Sequence, residues 1–565
     1  MRGLNFGFTF PKVYNTYFLA CVSTIGGMLF GFDISSISAI IVTDQYVTYF
    51  DNPAGLWQGG IGAALAGGSI VGAACAGFIS DRIGRRDTIA FACLWWLVGT
   101  AVQVATRTRT ELIVGRVLNG VCVGLTSSQV PVYLAEIAKK DKRGSIIVIQ
   151  QLAIEIGILV MYFIGYGCSF IPGPTASFRT AWGIQYVPCV VLLVGLPFLP
   201  RSPRWLAKVG RTQEAVSVLA NIQSGGDQSD PLVVAEWEEI TTVLAAEREA
   251  LPGWRKFVYN GMWRRTFAGF SVQAWQQLSG ANVMTYYLTY VFYMANLTGN
   301  INLISAGVQY ALFIVFTLFT FMFIDKTGRR PLLIYGAIGM AICHFMIGAS
   351  KPQESTHSYH QYTANAELVL GAYGTSHPEG VHGNANITIK VTGSASYTVI
   401  AFSYLLIIVY ALTLAPVCWV YAAEVWSLET RGTGMGIAAT GNWLFNFALG
   451  LFVPPAFRNI SWKTFIIFGV LCVGAAVQFF VSYPETGRKS LEEIEEMFRP
   501  GGPKPWKTKL GQSVLDERAQ SVAAEQRKAS LGYEGKAEVV REDGTVETVE
   551  KKWIDGFANG SNGAV

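Results

Sequence analysis

Charge is what this sequence has least of. Only 14% of its 565 residues are Asp, Glu, Lys or Arg, 51% are hydrophobic, and the mean hydropathy is +0.35. That balance excludes an ordinary soluble protein of this length and makes a membrane the default environment. Histidine is scarcer still. There are five, and His357, His360, His377 and His382 fall in one polar stretch at about 350–396. Their spacing fits no tight metal site, so no metal is expected. The nine cysteines lie within or at the ends of apolar runs, as Cys75, Cys122 and Cys418 do, so they imply packing and no disulfide framework. No metal-ligand set or nucleophile–base pair occurs in the apolar runs, which argues against an enzyme, and no cofactor is expected. The net charge of +5 is spread over loops and gives no reason to expect nucleic acid as a partner.

What is abundant is apolar sequence in lengths that cross a bilayer, roughly 20 residues each. Such runs lie near 17–40, 58–80, 88–106, 111–134, 145–169 and 180–199, then near 266–294, 302–324, 332–349, 397–422, 434–456 and 464–483. Twelve helices are expected, six and six, in an all-α polytopic membrane protein whose lipid-facing partner is the bilayer itself. Sixty glycines suit such helices, because small residues let them approach closely where lipid supplies no hydrophobic drive. The first run is too long for a signal-peptide core and lacks a clear cleavage site, so it reads as a retained helix.

Basic residues concentrate in alternate loops: Arg82, Arg85 and Arg86; Lys139, Lys140, Lys142 and Arg143; the 201–265 segment; Lys326, Arg329 and Arg330. Those loops and both termini should be cytoplasmic. Asn296 and Asn386, each two residues before a threonine, would then be external glycosylation acceptors, a weak signal. The expected organisation is a bundle over 1–200, a cytoplasmic helical linker over 201–262, a second bundle over 263–495 and a disordered cytoplasmic tail over 496–565.

The two halves repeat each other. Asp81-Arg82-Ile83-Gly84-Arg85-Arg86 returns as Asp325-Lys326-Thr327-Gly328-Arg329-Arg330, 244 residues later. Glu136 precedes Arg143-Gly144 by seven residues, and Glu424 precedes Arg431-Gly432 by the same seven, 288 residues on. The longer second offset is absorbed by the polar stretch at about 350–396, which has no equivalent in the first half.

Three ionisable side chains remain well inside the apolar runs: Asp33, Arg116 and Glu155. A charge facing lipid at a helix centre costs roughly 2.5–3.5 kcal/mol, so they should face a cavity or one another. Asp33 and Arg116 make either a proton-responsive coupling pair or a permanent structural ion pair. Glu155 lies one helical turn after Gln151 and shares its face. It reads as a second proton site, a hydroxyl-binding group, or a neutral acid bonded to a neighbouring helix. Amides cluster in the same runs, at Gln150-Gln151, Gln276-Gln277, Asn282, Asn442 and Asn446, with Phe30, Tyr286, Tyr287, Trp419 and Trp443 beside them. Amides bond hydroxyls without the desolvation cost of a charge, and aromatic faces suit the C–H face of a sugar ring. Gly280 and Pro416 would let helices break near the amides. The lone His344 reads as a packing residue.

The ordered set Asp81-Arg82-x-Gly84-Arg85-Arg86, Gly115-Arg116, Pro131-Val132-Tyr133-x-x-Glu136, Arg143-Gly144, Pro200-Arg201-Ser202-Pro203-Arg204-Trp205, Gln276-Gln277-Leu278-Ser279-Gly280-x-Asn282, Asp325-x-x-Gly328-Arg329-Arg330 and Pro484-Glu485-Thr486-Gly487 resembles the sugar porter branch of the major facilitator superfamily. Within it the chain looks most like fungal high-affinity hexose/proton symporters, from about residue 15 to about 500. The resemblance implies the major facilitator fold, two six-helix bundles with internal pseudo-symmetry that open alternately to either side. It implies import of a monosaccharide, a hexose such as glucose or a pentose such as xylose, together with a proton. It also implies sugar contacts at Gln151, Gln276, Gln277, Asn282, Trp419 and Asn442, with Phe30 nearby, and an acid at Asp33 that marks proton coupling.

In the same family pattern Glu136, Arg143, Glu424 and Arg431 would pair with the clusters Asp81/Arg85/Arg86 and Asp325/Arg329/Arg330 to latch the cytoplasmic side. A passive sugar carrier and a non-transporting sugar sensor are the alternatives. A plasma-membrane monomer is expected. The chain departs from the pattern in three places: Phe313, with Gln309 one turn earlier, where many relatives have an asparagine; Ala415-Pro416 for Gly-Pro; and the acid at Glu155.

Overall fold

The computed structural model describes residues 11–38, 40, 44–51, 56–248, 253–258, 262–297, 300–348, 375–376, 388–427, 430–499 and 501–511, with short pieces at 520–521, 523–524, 536–540 and 546–550. The four histidines of the long loop, Asn386 of the second glycosylation acceptor and most of the tail lie outside the described residues. Eleven helical stretches among them are long and apolar enough to cross a membrane: Thr16–Ile37, Gly59–Ile83, Arg85–Ala105, Arg109–Ile137, Lys140–Cys168 and Ala176–Phe198 in the first half, then Ile304–Thr327, Arg330–Gly348, Ser394–Glu424, Arg431–Asn459 and Lys463–Ser482 in the second. In lipid every backbone amide must be bonded within the segment, and a continuous helix does this by itself. Large apolar side chains such as Val71, Phe78, Leu94 and Val98 point outward from these helices, as a lipid-facing surface requires.

The expected seventh crossing is present in pieces. Met262–Leu278, Ala281–Tyr286 and Leu288–Met294 follow one another across the region expected at 266–294. The first break falls at Gly280, whose φ of +77° lies where only glycine sits without strain. A side chain there would also press on Phe468 and on His344, whose Nε2 is 2.8 Å from the Ser279 carbonyl oxygen. His344 is therefore a packing and bonding residue at the break. The tenth crossing is interrupted at Thr413, between Ser394–Leu412 and Leu414–Glu424. Pro416 lacks the N–H that would bond the Leu412 carbonyl, and Thr320 Oγ1 donates to that carbonyl instead at 3.0 Å.

The second and fourth crossings touch backbone to backbone. A Cβ added at Gly68 or Gly72 would strike the carbonyls of Val117 or Val121, and one added at Gly120 or Gly124 would strike those of Leu65 or Ser69. The duplicated loop motif also has a local reason. Gly84 and Gly328 carry φ of +95° and +88° and turn the chain between the second and third and between the eighth and ninth crossings.

On the side of the duplicated loop motifs the segment between the halves forms helices Pro203–Lys208, Thr212–Gln223 and Pro231–Arg248. Arg204 bonds Glu236 at 3.1 Å and the Glu136 carbonyl at 3.1 Å, fixing the linker beneath the fourth crossing. At its other end Glu239 accepts from Ser490 Oγ at 2.7 Å, just before helix Leu491–Phe498. That helix runs through the boundary expected at 495/496. The tail, expected to lack structure, holds an antiparallel hairpin of Lys536–Val540 with Val546–Glu550. Asp543-Gly544 between two valine-containing stretches is its sequence signal. All nine cysteines are free; seven are buried, and Cys21 and Cys75 are exposed on the apolar surface.

Candidate functional site

The amides expected to line a site meet around Asn442. Its Nδ2 donates to Gln276 Oε1 at 2.7 Å and to Gln273 Oε1 at 2.6 Å, and its Oδ1 accepts from Gln277 Nε2 at 3.0 Å. Gln276 Nε2 donates to the Ala415 carbonyl at 2.8 Å, one residue before Pro416. Gln277 Oε1 accepts from Asn446 Nδ2 at 3.2 Å and from Asn282. Seventh, tenth and eleventh crossings are thus joined by one chain of amides beside two helix breaks. Gln273 was not singled out by sequence; its place three residues before Gln276, on the same helical face, was the available signal.

Aromatic rings and the opposite half close over this chain. Phe30 meets Trp443 edge to face at 4.7 Å, and Trp443 Nε1 donates to Ser127 Oγ at 3.1 Å, a contact between the halves. Trp419 is buried on the tenth crossing, and Tyr287 donates to the Gly450 carbonyl at 3.0 Å. Gln309 does not reach the amides. It donates to the Met284 carbonyl at 2.7 Å and so secures the broken seventh crossing, and Phe313 packs on Tyr410.

In the first half Asp33 and Arg116 lie 3.5 Å apart and both are buried. Ser36, Gln103 and Asn119 surround the carboxylate. Neither carboxylate oxygen has a hydrogen-bond partner among the described residues, and both side-chain polar atoms of Gln103 are likewise unbonded. Arg116 is the cation that Asp33 meets among the described residues. Gln103 and Asn119, from the third and fourth crossings, escaped the sequence reading because single amides in apolar helices look like packing residues.

Gln151 bonds Glu155 rather than the Asn442 group. Its Nε2 donates to Glu155 Oε1 at 2.9 Å, and Thr317 Oγ1, from the eighth crossing, donates to the same oxygen at 2.8 Å. The fifth and eighth crossings touch along their length: Ser145 with Asp325 at the end near the loop motifs, Glu155 with Thr317 midway, and Tyr162 with Tyr310, rings 5.5 Å apart, towards the other end. With the halves in contact on both sides of them, Gln151, Gln276, Gln277, Trp419 and Asn442 are all at most 5% exposed.

The charged loop clusters form two sets of ion pairs within halves and a smaller set of contacts between them. Arg85 holds Glu136 at 3.1 and 3.2 Å and Asp81 at 3.5 Å; Arg329 holds Glu424 at 2.8 and 3.1 Å and Asp325 at 3.0 Å. Burial opposes the charge on Arg329, but Glu424 and Asp325 outweigh it and keep the guanidinium more firmly protonated than usual. Between halves, the Asp325 carboxylate accepts from Gly144 N at 3.1 Å, Ser145 N at 2.8 Å and Ser145 Oγ at 2.6 Å, capping the N-terminus of the fifth crossing. Arg143 donates to the Lys489 carbonyl at 3.0 Å, and Arg431 lies 3.7 Å from Glu136.

Arg86 and Arg330 stand outside this seam. Arg86 pairs with Asp87 at 2.8 Å, and Arg330 donates to the Phe480 carbonyl at 2.9 Å. Glu485 was quoted only as part of a motif, yet it accepts from the backbone N–H of Arg329 and Arg330 at 2.9 and 3.0 Å. No group of three or more metal-ligating side chains occurs among the described residues.

A family profile described as sugar (and other) transporter matches residues 19–498. A high-affinity glucose transporter of Kluyveromyces lactis is 41% identical over 88% of this chain and 88% of its own length. High-affinity glucose transporter 1 of Candida albicans is 38% identical over 96% of both. Among solved structures, the proton:xylose symporter XylE bound to 6-bromo-6-deoxy-D-glucose matches with a TM-score of 0.71 and 26% identity, covering 86% of this chain and 99% of that one.

Proposed function

This chain belongs to the sugar transporter family and has the major facilitator fold, and from that premise we propose that it imports a monosaccharide with a proton by alternating access. It is a transporter and not an enzyme. The substrate class is a hexose such as glucose, with a pentose such as xylose as the nearest alternative. The observation that carries the proton is the buried Asp33–Arg116 pair, an acid with one counter-cation among the neutral side chains of Ser36, Gln103 and Asn119. Ionised Asp33 is compensated by Arg116. Protonated Asp33 releases it, and the first and fourth crossings are then free to move relative to each other. That is the two-state element a proton gradient needs.

Sugar binding falls to Gln151, Gln276, Gln277, Asn282 and Asn442, whose amides exchange their mutual bonds for hydroxyls, with Phe30, Tyr287 and Trp419 as ring faces. Asp81, Arg85, Glu136, Arg143, Asp325, Arg329, Glu424 and Arg431 hold the cytoplasmic side shut; Arg86 and Arg330 fix the loops that carry them. We place the chain in the plasma membrane with both termini cytoplasmic, working as a monomer. Its units are 1–200, 201–262, 263–495 and 496–565, the third extended to the end of the helix at 498.

The test is uptake into proteoliposomes of purified protein with an imposed pH gradient. The wild type should accumulate glucose above the external concentration and lose this with a protonophore. Asp33→Asn should only equilibrate it. Gradient-independent equilibration by the wild type would make the protein a passive carrier. Binding without any uptake would make it a sensor.

A further inference from the structure

We propose that Glu155 is a second proton-binding site, one that must be protonated for the two halves to close, on the loaded and the empty passage alike. The proposal rests on the transport reading above and adds to it a site with a different role from Asp33. Glu155 is 1% exposed in the middle of the seam between the fifth and eighth crossings. Its Oε1 takes hydrogen bonds from Gln151 on its own helix and Thr317 on the facing half, while Oε2 is buried with no partner among the described residues.

No cation faces it. The eighth crossing has no charged residue between Asn300 and Asp325, and the tenth has none between Ser394 and Glu424. From the tenth crossing the phenol of Tyr410 interacts with it. The first crossing, which packs on the fifth through Gly31 and Ile154, carries only Asp33, and the fourth carries Arg116, already engaged with it. In the sixth crossing the charge is Arg179, held far along the helix by Tyr49 and the Thr106 carbonyl.

Two neutral donors do not offset an ionised carboxylate sealed between two halves in a membrane. The closed arrangement therefore holds the neutral acid, with the proton on Oε2. When the halves part on either side, the fifth and eighth crossings separate, water reaches the carboxyl, and the proton is free to leave.

The contrast with Asp33 fixes the role. Asp33 has Arg116, so the empty protein returns with that acid ionised, and a proton is delivered per cycle. Glu155 has no such partner, so its proton rides both ways and none is delivered. It makes closure depend on pH without entering the sugar-to-proton ratio. Gln151 donates to the same oxygen, so protonation of Glu155 weakens the hold on the donor proposed to meet the sugar.

The experiment is sugar-for-sugar exchange in proteoliposomes with equal pH inside and outside, in the Asp33→Asn background where Asp33 no longer titrates. Exchange should fall as pH rises, approaching about tenfold per unit above its midpoint, because only the protonated fraction closes. Adding Glu155→Gln, which keeps the bond to Thr317 through a neutral side chain, should flatten the profile. Thr317→Val removes a donor that favours the ionised acid, so its midpoint should move to higher pH; this variant decides the matter if the double variant does not fold.

Superimposable profiles for Asp33→Asn and Asp33→Asn/Glu155→Gln would overturn the proposal. So would a Glu155→Gln protein whose accumulation ratio has changed by one proton. A wild type that exchanges but never accumulates would sink the symport reading alone, and a flattened profile would still support Glu155. No exchange by the wild type would overturn both.

Discussion

Asn442 is the residue on which the amide group turns, because it donates to two glutamines and accepts from a third. Replacing it by alanine leaves Gln273, Gln276 and Gln277 short of partners in a buried site, at about 1–3 kcal/mol for each unsatisfied group. The expected outcome of Asn442→Ala is an increase of at least about tenfold in KM for sugar uptake, with a smaller change in maximal rate. Initial-rate uptake over a range of sugar concentrations separates the two.

Gln276→Ala removes the donor to the Ala415 carbonyl as well, so the tenth crossing loosens at its break and maximal rate should fall together with affinity. At this scale the sequence was readable where a residue is chemically out of place. Asp33, Arg116, Glu155 and the paired glutamines all stand out against apolar helices. Gln273, Thr317 and Ser127 do not, because a hydroxyl bonded to its own helix and one that reaches across to another look alike in a sequence. Thr126 shows the first kind of bond, to Cys122, and Thr317 the second.

Elements explain the duplicated glycines. Gly144 and Gly432 open the fifth and eleventh crossings, where an aspartate from the other half comes against the helix end. A Cβ at Gly144 would run into Asp325 Oδ1 and the Arg329 guanidinium, whereas one at Gly432 would meet Ser80 Oγ at 2.8 Å and Asp81 Oδ1 at 3.1 Å. Overpacking of this kind costs about 1–3 kcal/mol. Gly144→Ala should therefore shift the population toward the state open to the cytoplasm, and Gly432→Ala should do so less, because a serine hydroxyl rotates aside. Spin-label distances between the cytoplasmic ends of the fifth and eighth crossings measure the shift; equal effects, or none, would contradict the order.

The repeat and its spacing were legible in the sequence, since they follow from words and offsets. Which acid would reach which helix end was not. The resemblance paired these charges with the loop clusters without saying which pairs cross the seam, and Glu136 with Arg85 and Glu424 with Arg329 lie within their own halves. A bidentate pair inside one rigid bundle is a fixed part of the wall. The moving contacts are those between halves, among them Asp325 with the start of the fifth crossing, Arg143 with Lys489 and Arg431 with Glu136. The break in the seventh crossing was legible at Gly280, but the second one, at Tyr287, was not, because an apolar run reports the length of a span and not the dihedral angles within it.

For the whole molecule, opening toward the cytoplasm must part a short list of contacts, and they are unequal. The Asp325 carboxylate gives up three hydrogen bonds and the N-terminal end of a helix dipole. Arg431 gives up a 3.7 Å approach to a glutamate that Arg85 and Ser202 already satisfy. Glu239 also loses Ser490, so the linker and the terminal helix separate with the halves.

Bonds to a charged acceptor are worth about 1.5–3 kcal/mol, and a helix terminus adds about 0.3–1 kcal/mol at an exposed site. Asp325→Asn keeps the shape of the side chain and removes the charge. It should raise the inward-open population by about tenfold or more, since about 1.4 kcal/mol corresponds to tenfold. Arg431→Gln should change it by less, and the two changes should add, because Asp325 and Glu136 share no partner.

The cytoplasmic distance distribution of the single and double variants measures all three quantities. A larger effect from Arg431 than from Asp325 would mean that the ion pair, and not the capped helix, holds the inside shut. Strong non-additivity would mean that the two halves of the gate open as one cooperative unit.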